Sequence, residues 1–156
     1  GYNKKFPNII CTLSETGSGA ASTATFTGDT EGSDNWDYIC SIDPEGTADA
    51  ATNYPIFDFA NTYGATAGLT GTDYETGWYV PSLAELCEVY RNKAVIQTSL
   101  TAASGFTLGT GYYWSSSQIA SYDNHAYRVS FYDGSVYNFK KYINYDVFVL
   151  QALTAK

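Results

Sequence analysis

The chain has 156 residues, with 16 acidic and 8 basic side chains for a net charge of −8. No basic cluster exceeds the pairs Lys4-Lys5 and Lys140-Lys141, which argues against a phosphate-tracking groove and so against nucleic acid as a partner. A hydrophobic fraction of 44% separates the chain from disordered sequences, and the absence of any run of about 18 apolar residues argues against a helical membrane span.

The length suits a single domain over residues 1–156, able to bury a core without staples. Charged residues make up only 15% and aromatic residues 17%, and 15 tyrosines supply most of the latter. Surface polarity must then come from Ser, Thr, Asn, Gly and tyrosine hydroxyls. Tyrosine offers rigid contact area with a polar tip at a low entropy cost; it also simply suits β-sheet positions. The charge is uneven. Residues 1–110 carry 13 acids and 4 bases, a net −9, whereas residues 111–156 carry 3 acids and 4 bases, a net +1. A nearly neutral, aromatic C-terminal third resembles the charge-depleted centre of an interface.

In chain order, residues 1–35 are small and polar, with 14–23 reading as a low-complexity loop and 9–13 and 24–26 as short strands. Residues 36–42 read as a further strand, and Asp43-Pro44-Glu45-Gly46 as a turn. Residues 55–63 form a candidate helix, since Ile56, Phe59, Ala60 and Tyr63 fall on one face, with Pro55 in the first turn and Gly64 as the stop. Ser82-Leu83-Ala84-Glu85 is a capping box. Leu83, Leu86, Cys87 and Tyr90 then recur at helical spacing, and acids precede bases in keeping with the helix dipole, so residues 82–93 are predicted helical. Glu85 is expected to cap rather than to catalyse. Residues 112–117 read as a strand and then polar residues, 126–131 as a strand, Asp133-Gly134 as a hairpin turn, 135–139 as the returning partner and 147–150 as a closing strand. The class expected is α+β, short antiparallel strands with one or two helices.

Cys11, Cys40 and Cys87 allow at most one bridge, with Cys40–Cys87 possible in an oxidising compartment and buried thiols the alternative. No metal or cofactor pattern occurs. Asp29, Glu31, Asp34 and Asp37 lack the glycine and terminal glutamate of a calcium loop. The single histidine, His125, has no nucleophile beside it in sequence and is expected on an exposed loop. The chain is expected not to be an enzyme.

Eight of the 15 tyrosines follow Thr110, and five of these, Tyr122, Tyr127, Tyr132, Tyr137 and Tyr142, are spaced every fifth residue. That period fits neither helix nor strand, so one packed face cannot hold them all and some must be exposed. The surrounding residues are largely Asn, Asp, His, Tyr, Ile and Phe, all reachable from one asparagine codon by replacing its adenines. The candidate ligand contacts are Ile119, Tyr122, Asp123, Asn124, His125, Tyr127, Tyr132, Tyr137, Asn138, Tyr142, Ile143, Asn144, Tyr145, Asp146 and Phe148.

Gly77-Trp78-Tyr79-Val80-Pro81-Ser82-Leu83-Ala84-Glu85-Leu86, Tyr113-Trp114-Ser115-Ser116-Ser117-Gln118, and Ala126-Tyr127-Arg128-Val129-Ser130-Phe131 with Gly134 together carry a family likeness. The chain resembles bacterial domains of C-type-lectin fold related to formylglycine-generating enzyme, and among them the variable proteins of diversity-generating retroelements, particularly the Treponema surface type. The likeness covers roughly residues 36–153. It implies a C-type-lectin-like domain with Trp78, Trp114, Ser115, Ser116, Ser117 and Gly134 as framework. It also implies a variable region over about 114–153, where adenine-directed mutagenesis diversifies side chains for a protein or glycan ligand. The implied location is the cell surface or the exterior, held by a lipid anchor or displayed on a virion through a segment outside this sequence. Phe148 and Gln151 stand near positions where family members often carry arginine. No cysteine follows Cys87, so the oxidase activity is not expected; no Glu-Pro-Asn or Gln-Pro-Asp triplet occurs, so calcium-mediated sugar binding is not either. The alternative is a fixed-specificity adhesin or a glycan-binding lectin-like domain.

Overall fold

A helical layer comes first. The computed structural model describes residues 31–118, 122 and 124–151; the candidate strands at 9–13 and 24–26, and Cys11, lie outside the described residues. Residues 36–42, expected as a strand, belong instead to helix α1 (Asn35–Ile42). The reason is tertiary. Trp36 stacks on Phe57 at 5.5 Å and meets Tyr54 edge-on at 5.8 Å, while Ile39 is fully buried. Packing here overrides the strand preference of an aromatic and β-branched run.

The expected turn at 43–46 opens a one-turn helix, α2 (Pro44–Thr47). The Asp43 carboxylate accepts from the Gly46 N–H at 3.1 Å, and Pro44 sits in the first turn, where its missing N–H costs nothing. Asp49 caps α3 (Ala50–Asn53) in the same way, through the Thr52 N–H at 3.3 Å. Helix α4 (Pro55–Thr66) starts where the sequence placed it but runs past Gly64. Its buried stripe is Ile56, Phe57, Ala60 and Gly64, whereas Phe59 is exposed, so the core-facing side is rotated from the expected one. Gly64 ends nothing. A β-carbon there would fall 1.8 Å from the Glu75 carbonyl oxygen, so glycine permits a close backbone approach.

Strand β1 (Trp78–Tyr79) leads into α5 (Leu83–Arg91), with Ser82 at its N-cap. The capping box is complete: the Ser82 hydroxyl accepts from the Glu85 N–H at 3.2 Å, and the Glu85 carboxylate accepts from the Ser82 N–H at 2.8 Å. The same carboxylate accepts from the Gly32 N–H and the Tyr79 hydroxyl, each at 2.8 Å, so it ties three segments together. Helix α6 (Lys93–Ala102) follows directly and was not anticipated from the sequence. It buries no residue fully, which leaves its apolar periodicity weak.

The strands are β2 (Tyr112–Gln118), β3 (His125–Ser130), β4 (Val136–Lys140), β5 (Asp146–Val147) and β6 (Leu150–Gln151). A four-stranded sheet has the order β4-β3-β2-β5, and a two-stranded one pairs β1 with β6. Pairing is antiparallel except between β2 and β5, which are parallel. The closing strand expected at 147–150 is thus split: the chain leaves the larger sheet after Val147 and joins β1 at Leu150. The described residues form a mixed α+β arrangement, with six helices among them rather than one or two.

Both faces of the larger sheet contribute to a core. Trp114 pairs with Arg128 across β2 and β3, and Trp114 and Ala126 pack with Ile39, Tyr54, Ile56, Phe57 and Ala60 of the α1–α4 layer. Tyr113 pairs with Val129 on the opposite face, where both pack with Leu83, Leu86 and Val89 of α5. Because a strand alternates its faces, adjacent residues of β2 serve two different cores.

Candidate ligand surface

The C-terminal third is anchored by buried serines. Ser115, Ser116 and Ser117 are fully buried in β2, although as polar residues they read as a strand end. Each hydroxyl has a partner. Ser115 donates to the Tyr127 carbonyl at 2.8 Å. Ser116 donates to the Pro81 carbonyl at 3.1 Å and accepts from the Asn35 side-chain amide at 2.6 Å. Ser117 accepts from the Leu83 N–H at 2.9 Å. The β2–β3 register is irregular between Trp114 and Gln118, which frees β2 to make these outward bonds to α1 and α5. Trp114, fully buried, donates its indole N–H to the Ile143 carbonyl at 3.0 Å and so holds down the segment after β4.

On this base stands the β3–β4 hairpin. Gly134 closes it at φ +77°, as the Asp133-Gly134 signal suggested. Asp133 stabilises the turn by accepting from the Ser135 hydroxyl at 2.6 Å and the Ser135 N–H at 3.0 Å. These bonds hold its carboxyl below the usual range, at about 2.

The every-fifth-residue spacing carries successive tyrosines into different settings. Tyr122 precedes β3, Tyr132 lies in the turn, Tyr137 sits on edge strand β4 and Tyr142 follows β4; they are 56%, 79%, 54% and 62% exposed. Tyr127 differs. It faces inward from β3 and packs, half-buried, against both cores. Ile143 and Tyr145 are also half-buried against the Trp114 cluster, and Phe148 packs into the α5 cluster and lies 6.2 Å from Phe106. These four are half-buried rather than freely exposed, which follows from the strand phase and from the packing of residues 143–148 beside β2. Ile119 and Asp123 lie outside the described residues.

Two groups of candidate residues come together. At the open end of the hairpin, the Tyr122 and His125 rings lie 5.1 Å apart, and Lys140 pairs with His125 across the strands. The Asn124 carbonyl accepts from the Lys141 N–H at 2.9 Å, and the Lys140 ammonium lies 5.7 Å from the Tyr142 ring. His125 therefore opens a strand, half-buried, rather than lying on an exposed loop, because its backbone pairs with β4. Its pKa is lowered from the usual 6.5, chiefly by burial and then by the charges of Lys140 and Lys141. Tyr132 belongs to neither group, standing at the far end of β4, about 13 Å of strand away. Asn144 and Asp146 are exposed, and Asn138 is half-buried opposite Tyr127.

The second group lies on the Trp114 face of the sheet. Tyr145 approaches Trp114 at 5.1 Å, Tyr112 at 5.3 Å and Phe139 at 6.2 Å. Between these rings runs the Arg128 side chain, with its guanidinium carbon 3.8 Å from the Tyr112 centroid and 4.5 Å from those of Phe139 and Tyr145. Each contact of this kind is worth about 0.5–2 kcal/mol. Tyr112, Arg128 and Phe139 are not among the residues that the sequence marks as candidate contacts. The strand register that aligns β2, β3 and β4 assembles them, and no local pattern carries it.

Elsewhere, a groove of about 900 Å³ runs between α5 and the hairpin, lined among others by Cys87, Tyr90, Ile96, Val136 and Leu150. Cys40 and Cys87 are free thiols, so no bridge joins them; burial raises the pKa of both. Among the described residues no group of three or more His, Cys, Asp or Glu side chains could hold a metal ion, and no helix is long and apolar enough to cross a membrane. Comparison with protein-family models, with curated proteins and with solved structures finds no match to this chain.

Proposed function

We propose that this chain is a ligand-binding protein of the cell surface or exterior. Its C-terminal region, about residues 114–153, would be diversified by adenine-directed mutagenesis on a C-type-lectin-like scaffold. The observation that carries the reading is the outward placement of Tyr122, Tyr132, Tyr137 and Tyr142 on and beside a hairpin whose base is locked into the core. Four large aromatic side chains more than half exposed within 21 residues are an unusual display for a protein that binds nothing. Binding needs no chemistry beyond contact. The tyrosines supply apolar area, and Asn124, His125, Asn138, Asn144 and Asp146 supply directional hydrogen bonds. The serine hub beneath them would hold the surface in shape whichever side chains it displays, which limits the ordering cost on binding.

The residue types at these positions support diversification, and the likeness of residues 77–86, 113–118 and 126–131 to retroelement variable proteins supports it independently. The test is the DNA downstream of the gene. The expected finding is a near-copy of the segment coding for residues 114–153, mismatched at adenines and adjacent to a reverse transcriptase. A downstream region without such a copy would refute diversification, leaving a fixed-specificity adhesin or a glycan-binding domain that stacks its ligand on the same tyrosines.

A further inference from the structure

We propose that Arg128 recognises a carboxylate of the bound partner, at the inner wall of the aromatic surface; the inference rests on the ligand-binding reading above. Arg128 is only 9% exposed. A buried cation is ordinarily paired with an acid, yet among the described residues no ion pair and no side-chain hydrogen bond reaches Arg128. Its Nε is buried without an acceptor. Tyr112, Phe139 and Tyr145 account for part of its stability, since their rings lie 3.8 to 4.5 Å from the guanidinium carbon. Rings attract the charge, but they accept none of the in-plane N–H bonds. The guanidinium carries five such donors in a rigid fork, and the planar bidentate group that fits it is a carboxylate.

The surroundings favour that partner. Tyr112 and Phe139, each 38% exposed, and Tyr137, paired with Arg128 across the strands, form an aromatic rim. Seated there, an acidic group would exclude water from the pair and strengthen it. Residues 111–156 carry a net charge of +1, so the acidic character of the rest of the chain does not extend to this site. The source favoured is an acidic side chain of a protein partner, because a tyrosine-rich, charge-poor surface suits protein ligands.

The experiment follows the Arg128 Nε–H resonance of the whole chain by NMR at low salt. The probes are blocked glutamate (N-acetyl, C-amide), its glutamine counterpart and inorganic phosphate. Blocked glutamate is expected to shift the resonance saturably, with glutamine at least tenfold weaker. Arg128→Gln should abolish that preference, and Arg128→Lys, which keeps the charge without the fork, should weaken it. The wild-type titration decides the matter even if a variant fails to fold. An unmoved resonance, an equal response to glutamate and glutamine, or a response to phosphate alone would overturn the proposal. A silent Arg128 on a chain whose DNA carries the adenine-mismatched copy would refute this inference alone, and a responsive Arg128 without the copy would refute diversification alone.

Discussion

His125 is the chain's only histidine, and its surroundings make its titration a direct probe of the hairpin. Its Nδ1 lies 2.7 Å from the Asn124 side-chain oxygen, and its ring faces Tyr122. Burial, aided by Lys140 and Lys141, disfavours the charged ring and lowers the folded pKa below 6.5. Between the folded and unfolded values the unfolded chain binds more protons. The stability from a neutral ring is therefore complete above about 6.5 and is lost as pH falls through the folded pKa. An NMR titration of the His125 Cε1–H is expected to give a midpoint below 6.5; a midpoint at or above that value would place the ring in open solvent. Without the β3–β4 register, the sequence around His125 reads as a loop. The serines of β2 show the same limit, for nothing local distinguishes a buried, fully bonded serine from an exposed one.

At the scale of elements, the most legible features were those that close locally. The capping box at Ser82 and Glu85 completes itself within four residues, so its sequence signature and its geometry coincide. The Asp133-Gly134 turn is legible for the same reason, but Gly134 carries a second constraint. Besides its φ of +77°, a β-carbon there would sit 2.3 Å from the Tyr90 ring of α5. Gly68, at φ +73°, has nothing within 4 Å and isolates the backbone effect. Gly68→Ala is expected to cost about 1 kcal/mol by denaturant unfolding, and Gly134→Ala about 2–4 kcal/mol once displacement of Tyr90 is added. Equal costs would mean that hairpin and helix do not press together. Helix α1 shows what local signals miss: residues 36–42 are rich in aromatic and β-branched side chains that suit a strand, and the packing of Trp36 and Ile39 with Tyr54 and Phe57 favours the helix.

Across the whole molecule, the sheet divides the aromatic residues into those that hold it together and those that face outward. The two sets should therefore separate by stability. The triple replacement of Tyr122, Tyr137 and Tyr142 by alanine is expected to leave the melting temperature within a few degrees of wild type, as surface changes do, while abolishing ligand binding. Tyr145→Ala, which removes a ring packed on Trp114 and Arg128, is expected to cost about 2–4 kcal/mol and to lower the melting temperature markedly. A large drop in the triple variant would instead assign those tyrosines to the core.

Composition, the uneven charge, the α5 cap, the hairpin turn and the crowding of tyrosines after Thr110 could all be read from the chain alone. Each depends on residue type or on neighbours within a turn or two, where elementary propensity and hydrogen bonding already act. Which tyrosines face outward, why three serines are buried, and how Arg128 comes to lie among Tyr112, Phe139 and Tyr145 were decided only by tertiary structure. Strand register aligns residues 7 to 18 positions apart in sequence, and a one-residue change of phase exchanges the two faces of a strand.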